Sequence, residues 1–195
     1  MSALYLRGLK QGDVQMTAVG LVTAGLFFFL SLAKPMEAIS PQRPPPSVFS
    51  PPVVVSVLGQ FSIHMASLLA VLHACERYTL RDDLTMSADG KFHPNLVNSS
   101  VFVLSAAMQI NNFIVNYRGS PFTQPLRENV YLFRSVLAVY GVLVMVVGGQ
   151  IEPLNDLLQI SPFPNSAFQV YLLLALVFNF GASYGVELVS RRLEH

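Results

Sequence analysis

Charge is scarce in this chain. Only 12% of its 195 residues are Asp, Glu, Lys or Arg, about half the share of an ordinary soluble domain. With 52% hydrophobic residues and a mean hydropathy of +0.50, little polar surface remains to hold a domain of this size in water, which argues against a soluble enzyme. A basic excess is lacking too. Twelve Lys and Arg oppose 11 Asp and Glu, a net charge of +1, so no basic face exists for nucleic acid. Cysteine is represented by Cys75 alone, which rules out an intrachain disulfide and any multi-cysteine metal site. There is no Gly-rich phosphate loop, no G-x-S-x-G, no H-E-x-x-H and no D-K-T-G. These residues alone therefore neither bind nor hydrolyse a nucleotide. The apolar content excludes disorder. What is left is a polytopic membrane protein or a piece of one.

A bilayer core of about 30 Å needs about 20 apolar residues in a helix. Five stretches qualify, near residues 14–33, 53–75, 96–117, 130–149 and 168–190. The expected fold is therefore an all-α membrane bundle of about five transmembrane helices in a single membrane domain, residues 1–195, with no soluble domain. The first stretch is too long for the apolar part of a signal peptide and reads as a true span. No sustained alternation of apolar and polar residues supports a β-barrel. The third stretch is uncharged but studded with amides. The fourth carries Arg134 near its start, and the fifth holds Glu187 near its end.

Residues 34–52, KPMEAISPQRPPPSVFSPP, are too proline-dense to be helical throughout and read as an extended strap. The longest polar loop runs from Glu76 to Asn95. Counting Lys and Arg on alternate sides gives seven on the side of Lys34, Arg43, Arg118, Arg127, Arg134, Arg191 and Arg192. The other side holds five, Arg7, Lys10, Arg77, Arg81 and Lys91. The positive-inside rule then favours an N-terminus outside (or lumenal) and a C-terminus in the cytosol.

An amide in hydrocarbon must find a partner. Gln109, Asn112 and Asn116 are spaced by three and four, so they share one helical face. That face looks at other helices or at a wet path. It reads either as the lining of a substrate path or as interhelical hydrogen-bond glue. Asn111 points elsewhere and reads as glue. Gln60 and His64 also share a face, either as a relay or as a neutral histidine bonded to a neighbour. Asp13 and Gln15 open the first span. Asp13 reads as a capping anion at a helix N-terminus, or as an acidic group at the mouth of a polar pathway. Glu187 and Arg191 stand at i,i+4 and read as a helix-end pair. His73 and Cys75 need no role beyond their place at a span end. Asp82-Asp83 reads as a solvated turn, with no metal site expected. Asn98-Ser99-Ser100 matches the glycosylation pattern but lies too close to the membrane to be modified.

Several strings carry a resemblance when taken in order: LYLRGLKQGDVQ, LAKPMEAISPQRPPPSVF, LGQFSIHMASLLAVL, and FHPNLVNSSVFVLSAAMQINNFIVNYRGSPFTQPLREN. The order resembles the C-terminal membrane region of type V-A P-type ATPases, the endoplasmic-reticulum members of that class. The match is distinctive from about Leu4 to Asn129. The resemblance implies that the five spans are the sixth to tenth core helices of such a pump. It implies a cargo of mistargeted transmembrane helices, described in older terms as cations or manganese. It also implies a wide groove to which the first and third spans contribute, with Asp13, Gln15, Gln109 and Asn112 as groove candidates. Mg²⁺ and ATP would belong to a headpiece upstream of Met1, together with the phosphorylated aspartate. The implied partners are the remainder of the ATPase, the lipid bilayer and a client helix, with no nucleic acid. The chain departs from the family at Leu32-Ala33, where a basic residue usually precedes Lys34-Pro35. Without its headpiece it performs no catalysis, so it reads as a fragment, a truncated gene model or one part of a split protein. Two further readings remain open: a stand-alone small carrier or channel, and a membrane scaffold.

Overall fold

A computed structural model describes residues 11–37, 47–78 and 92–193. Among the described residues six helices follow in order: α1 (Asp13–Ser31), α2 (Pro51–Glu76), α3 (Leu96–Val115), α4 (Val130–Val147), α5 (Glu152–Leu157) and α6 (Ser166–Arg192). Among the described residues there is no strand, only an isolated bridge between Pro35 and Thr123. Arg7, Lys10, Arg43, Arg81 and the Asp82-Asp83 pair lie outside the described residues.

Local sequence sets the helix starts. Asn95, Asn129 and Asn165 each turn a side-chain oxygen onto a backbone N–H three residues on, at 2.8, 3.2 and 2.8 Å. Each satisfies one donor that a helix start otherwise leaves unpaired. α2 begins instead on Pro51 and Pro52, whose fixed φ suits a first turn and whose missing N–H is not needed there. Asp13 lies in the first turn of α1, but the cap position belongs to Gly12 and no side chain caps that helix.

α1, α2, α4 and α6 are long and apolar enough to cross a membrane. α3 has the length, at 20 residues, but is not among them: of the five expected spans, four are apolar throughout and the amide-rich third is the more polar helix that its sequence suggested. The physical reason is position. Thirteen residues of α3 are buried, and it packs against α1, α2, α4 and α6. A helix enclosed by others has little lipid to face, so its serines and amides meet protein partners rather than hydrocarbon. α1 lies at the opposite extreme. Only Gln15 and Leu26 are buried along it, while Leu21 and Phe28 are strongly exposed.

α2 and α6 form the most extensive pairing, and Gly59 shows why. A Cβ at this position would lie 2.6 Å from Val186 Cγ1. The missing side chain lets the two helices approach, the role small residues play where lipid supplies no hydrophobic drive for association. At the Arg191 end of the bundle, the strap and the loop after α3 are tied together. Met36 N–H donates to Phe122 O and Gln124 N–H to Lys34 O, and Asn129 Nδ2 donates to Phe29 O at 3.0 Å. At the Asp13 end, the short α5 turn folds over the bundle, and Ser161 N–H donates to Ser99 Oγ at 2.8 Å.

Candidate functional site

An open groove of about 560 Å³ runs between α1 and α3. Thr23, Phe27 and Leu30 form one wall, and Gln109, Asn112 and Asn116 the other, with Arg118 at the Arg191 end. The three amides that share a helical face by spacing thus share a wall in space. A second cavity of about 190 Å³ continues from the first toward the Asp13 end, sharing Thr23 and Gln109 and closed by Leu154 and Leu158. Its walls are almost wholly apolar, so the path combines a hydrocarbon-like interior with a few placed polar groups, as ligand sites generally do.

The amide wall is backed by two hydrogen-bond systems. In the first, Gln60 and Asn116 exchange reciprocal bonds, Nε2 to Oδ1 at 3.0 Å and Nδ2 to Oε1 at 3.1 Å. Gln60 Nε2 also donates to Ser56 Oγ at 2.9 Å, and Ser56 Oγ donates to Glu187 Oε2 at 2.6 Å. Arg191 Nε donates to Glu187 Oε1 at 2.9 Å, the pair expected from spacing. The same guanidinium reaches Val115 O and Tyr117 O at 3.1 and 3.2 Å, satisfying carbonyls that the end of α3 leaves unpaired.

The second system crosses the bundle. Tyr140 O–H donates to Asn111 Oδ1, and Asn111 Nδ2 donates to Asn179 Oδ1 at 2.9 Å. Asn179 Nδ2 donates to Ser67 Oγ at 3.0 Å and stands 3.1 Å from His64 Nδ1. His64 Nε2 stands 3.3 Å from Asn112 Oδ1, on the groove wall. Asn111 and Asn179 are fully buried, where an unpaired amide would be expensive. Gln60 and His64 thus share a face without bonding each other, each taking an asparagine of α3. Tyr140 and Asn179 were not singled out from sequence. Their signal was a polar side chain well inside an apolar stretch.

The four groove candidates separate. Gln109 and Asn112 line the groove. Gln15 does not: it is fully buried, and its Nε2 donates to Leu158 O at 3.1 Å, because the α5 turn folds over the start of α1. Asp13 is exposed one position past the cap. His73 pairs with Glu76 at 3.1 Å near the end of α2, and Asn98 is buried. Among the described residues no three His, Cys, Asp or Glu side chains converge.

Fold and site define an integral membrane helix bundle with an open groove between α1 and α3. No family model matches the chain. It is 38% identical over 164 residues to the probable manganese-transporting ATPase PDR2 of Arabidopsis thaliana, covering 84% of this chain and 14% of that protein. It is 33% identical over 193 residues to the endoplasmic reticulum transmembrane helix translocase spfA of Aspergillus fumigatus, covering 99% and 15%. It is 31% identical over 187 residues to the endoplasmic reticulum transmembrane helix translocase of Saccharomyces cerevisiae, covering 96% and 15%. The chain belongs to the P-type ATPases, in the type V-A group that contains these translocases. It spans about 15% of the length of the curated relatives it matches.

Proposed function

We propose that this chain is the C-terminal membrane support region of an endoplasmic-reticulum P-type ATPase that moves transmembrane helices. In this reading its five long helices are the sixth to tenth core helices of the pump, with a lumenal N-terminus and a cytosolic C-terminus. α2, α3, α4 and α6 form the support, and α1 with α3 walls the transport groove. Transport would proceed by rigid-body rocking of the pump around that path. Mg²⁺ and ATP act in the headpiece of the whole protein, and no step of their chemistry falls on these residues. Gln109 and Asn112 are the groove residues of this proposal. Gln15 ties the start of α1 to the end of α5, and Asp13 stands exposed in the first turn.

The groove between α1 and α3 carries the reading. Its α3 wall belongs to the most enclosed helix of the bundle, whereas α1 buries only two residues within this chain, which leaves its outward side for the rest of the pump. The mixture of apolar side chains and neutral amides suits a helix, which presents hydrocarbon along its length and peptide groups at its ends. The test is to graft residues 11–193 into the Saccharomyces cerevisiae translocase in place of its aligned region. We expect ATP hydrolysis in proteoliposomes to be stimulated by a synthetic single-span helical peptide. A graft that expresses and forms its phosphoenzyme, yet ignores the peptide, overturns the proposal.

A further inference from the structure

We propose that Tyr140 and His64 are positioning residues that lock the Asn112 amide with its Nδ2 hydrogens toward the groove, so that the groove selects a hydrogen-bond acceptor. The inference rests on the groove reading above and names the polar group that the groove takes. The chain of bonds from Tyr140 to Asn112 has two self-consistent directions, because each amide can turn over and a neutral imidazole can carry its proton on either nitrogen. The ends decide between them. Tyr140 stands on the wall of an apolar groove with Val136, Leu173 and Phe180, and Asn111 is its hydrogen-bond partner among the described residues. A phenol in such surroundings must donate to that partner, since the reverse direction strands its O–H.

That choice propagates. Asn111 Oδ1 accepts from Tyr140, so its Nδ2 turns to Asn179 Oδ1. Asn179 Nδ2 then faces His64 Nδ1, which must accept, leaving the proton on Nε2. Nε2–H donates to Asn112 Oδ1. Asn112 Nδ2 makes no hydrogen bond among the described residues, and the side chain is exposed on the groove wall. A phenol on the far side of α3 therefore sets which half of the Asn112 amide meets the cargo. An N–H₂ edge binds carbonyl oxygens, such as the unpaired ones at the C-terminal end of a helix, which are costly to leave bare in a bilayer. It offers nothing to a metal cation, which needs oxygen.

Two readouts on the grafted translocase test this. The first is the His64 tautomer, from nitrogen-15 spectra of histidine-labelled graft in membranes, assigned by the signal lost in His64→Gln. We expect Nε2–H; a proton on Nδ1 overturns the proposal. The second is the kinetics of peptide-stimulated hydrolysis. Tyr140→Phe frees the chain to reverse. His64→Asn keeps an acceptor for Asn179 but loses the donor to Asn112, whereas His64→Gln keeps that donor. We expect Tyr140→Phe and His64→Asn to raise the KM for the peptide about three- to tenfold, the worth of one hydrogen bond. Their kcat should change far less, and His64→Gln should stay near wild type. An unchanged KM in Tyr140→Phe, or equal damage from both His64 variants, sinks the proposal in favour of simple helix glue. A graft that ignores the peptide sinks the groove reading, and the tautomer in the same membranes still decides this one.

Discussion

Gln60 on α2 and Asn116, the residue that caps the end of α3, hold each other through two antiparallel amide bonds, at 3.0 and 3.1 Å. The pair stands where the amide wall of the groove joins the support behind it. Replacing either residue with Leu leaves the other amide short of a partner. Each single variant should lose about 1 kcal/mol, near the upper part of the range for hydrogen bonds inside membranes. The double variant Gln60→Leu/Asn116→Leu should lose less than the sum, because no orphaned amide remains. Unfolding titrations in mixed micelles measure the cycle. Strict additivity would show that the two amides do not stabilise each other.

Glu187 gathers Ser56 and Arg191 at the Arg191 end of the bundle. Its side chain is 4% exposed and that of Arg191 is 37% exposed. The pair therefore falls between a buried ion pair, where removing one partner costs about 3–5 kcal/mol, and a surface pair worth at most about 1. Glu187→Ala should destabilise the protein by about 2 kcal/mol in thermal unfolding. Arg191→Lys should not be silent, since an ammonium lacks the planar fork that reaches the carboxylate and two α3 carbonyls together. Wild-type melting of both variants would contradict this placement.

The Glu187–Arg191 pair was legible in sequence, as were the shared faces of Gln60 with His64 and of Gln109, Asn112 and Asn116. All of these follow from helical periodicity, which is local. The partners across helices were not legible. Nothing in the spacing ties Asn179 to Asn111, or Tyr140 to either, because those meetings depend on how helices distant in sequence cross. Gln15 illustrates the same limit. Its place at the start of a span suggests a pathway mouth, but the α5 turn, about 140 residues later, folds over it. The polar character of α3 was visible from the start. Its meaning, a helix enclosed by its neighbours, needed the packing.

Gly59 should resist enlargement. Alanine gains about 1 kcal/mol of helix propensity over glycine, but its Cβ would come within 2.6 Å of a stiff, β-branched Val186. Overpacking of this kind costs about 1–3 kcal/mol, so Gly59→Ala should be neutral to destabilising and Gly59→Leu clearly destabilising. The second-site change Val186→Ala should recover most of the Gly59→Ala loss, because the clash is with that side chain. Thermal unfolding of the two singles and the double decides it. A Gly59→Leu protein that melts like wild type would mean that α2 and α6 do not approach at this point.

Gln15 and Gln109 should behave oppositely, although both are glutamines near the path along α1. Gln15 is fully buried, its Nε2 holds Leu158 O, and its Oε1 has no partner among the described residues. Gln15→Ala removes the bond, opens a cavity and loosens the α5 turn, a loss of about 2 kcal/mol. Gln109 is exposed to the groove, with no hydrogen bond among the described residues. Gln109→Ala should change stability by less than about 0.5 kcal/mol, as surface substitutions do, while shifting the KM for a single-span peptide in the grafted translocase. The pair separates a residue that builds the bundle from one that meets cargo. If Gln15→Ala leaves the melting temperature untouched but raises the peptide KM, the α5 turn does not hold Gln15, and the pathway extends to the start of α1.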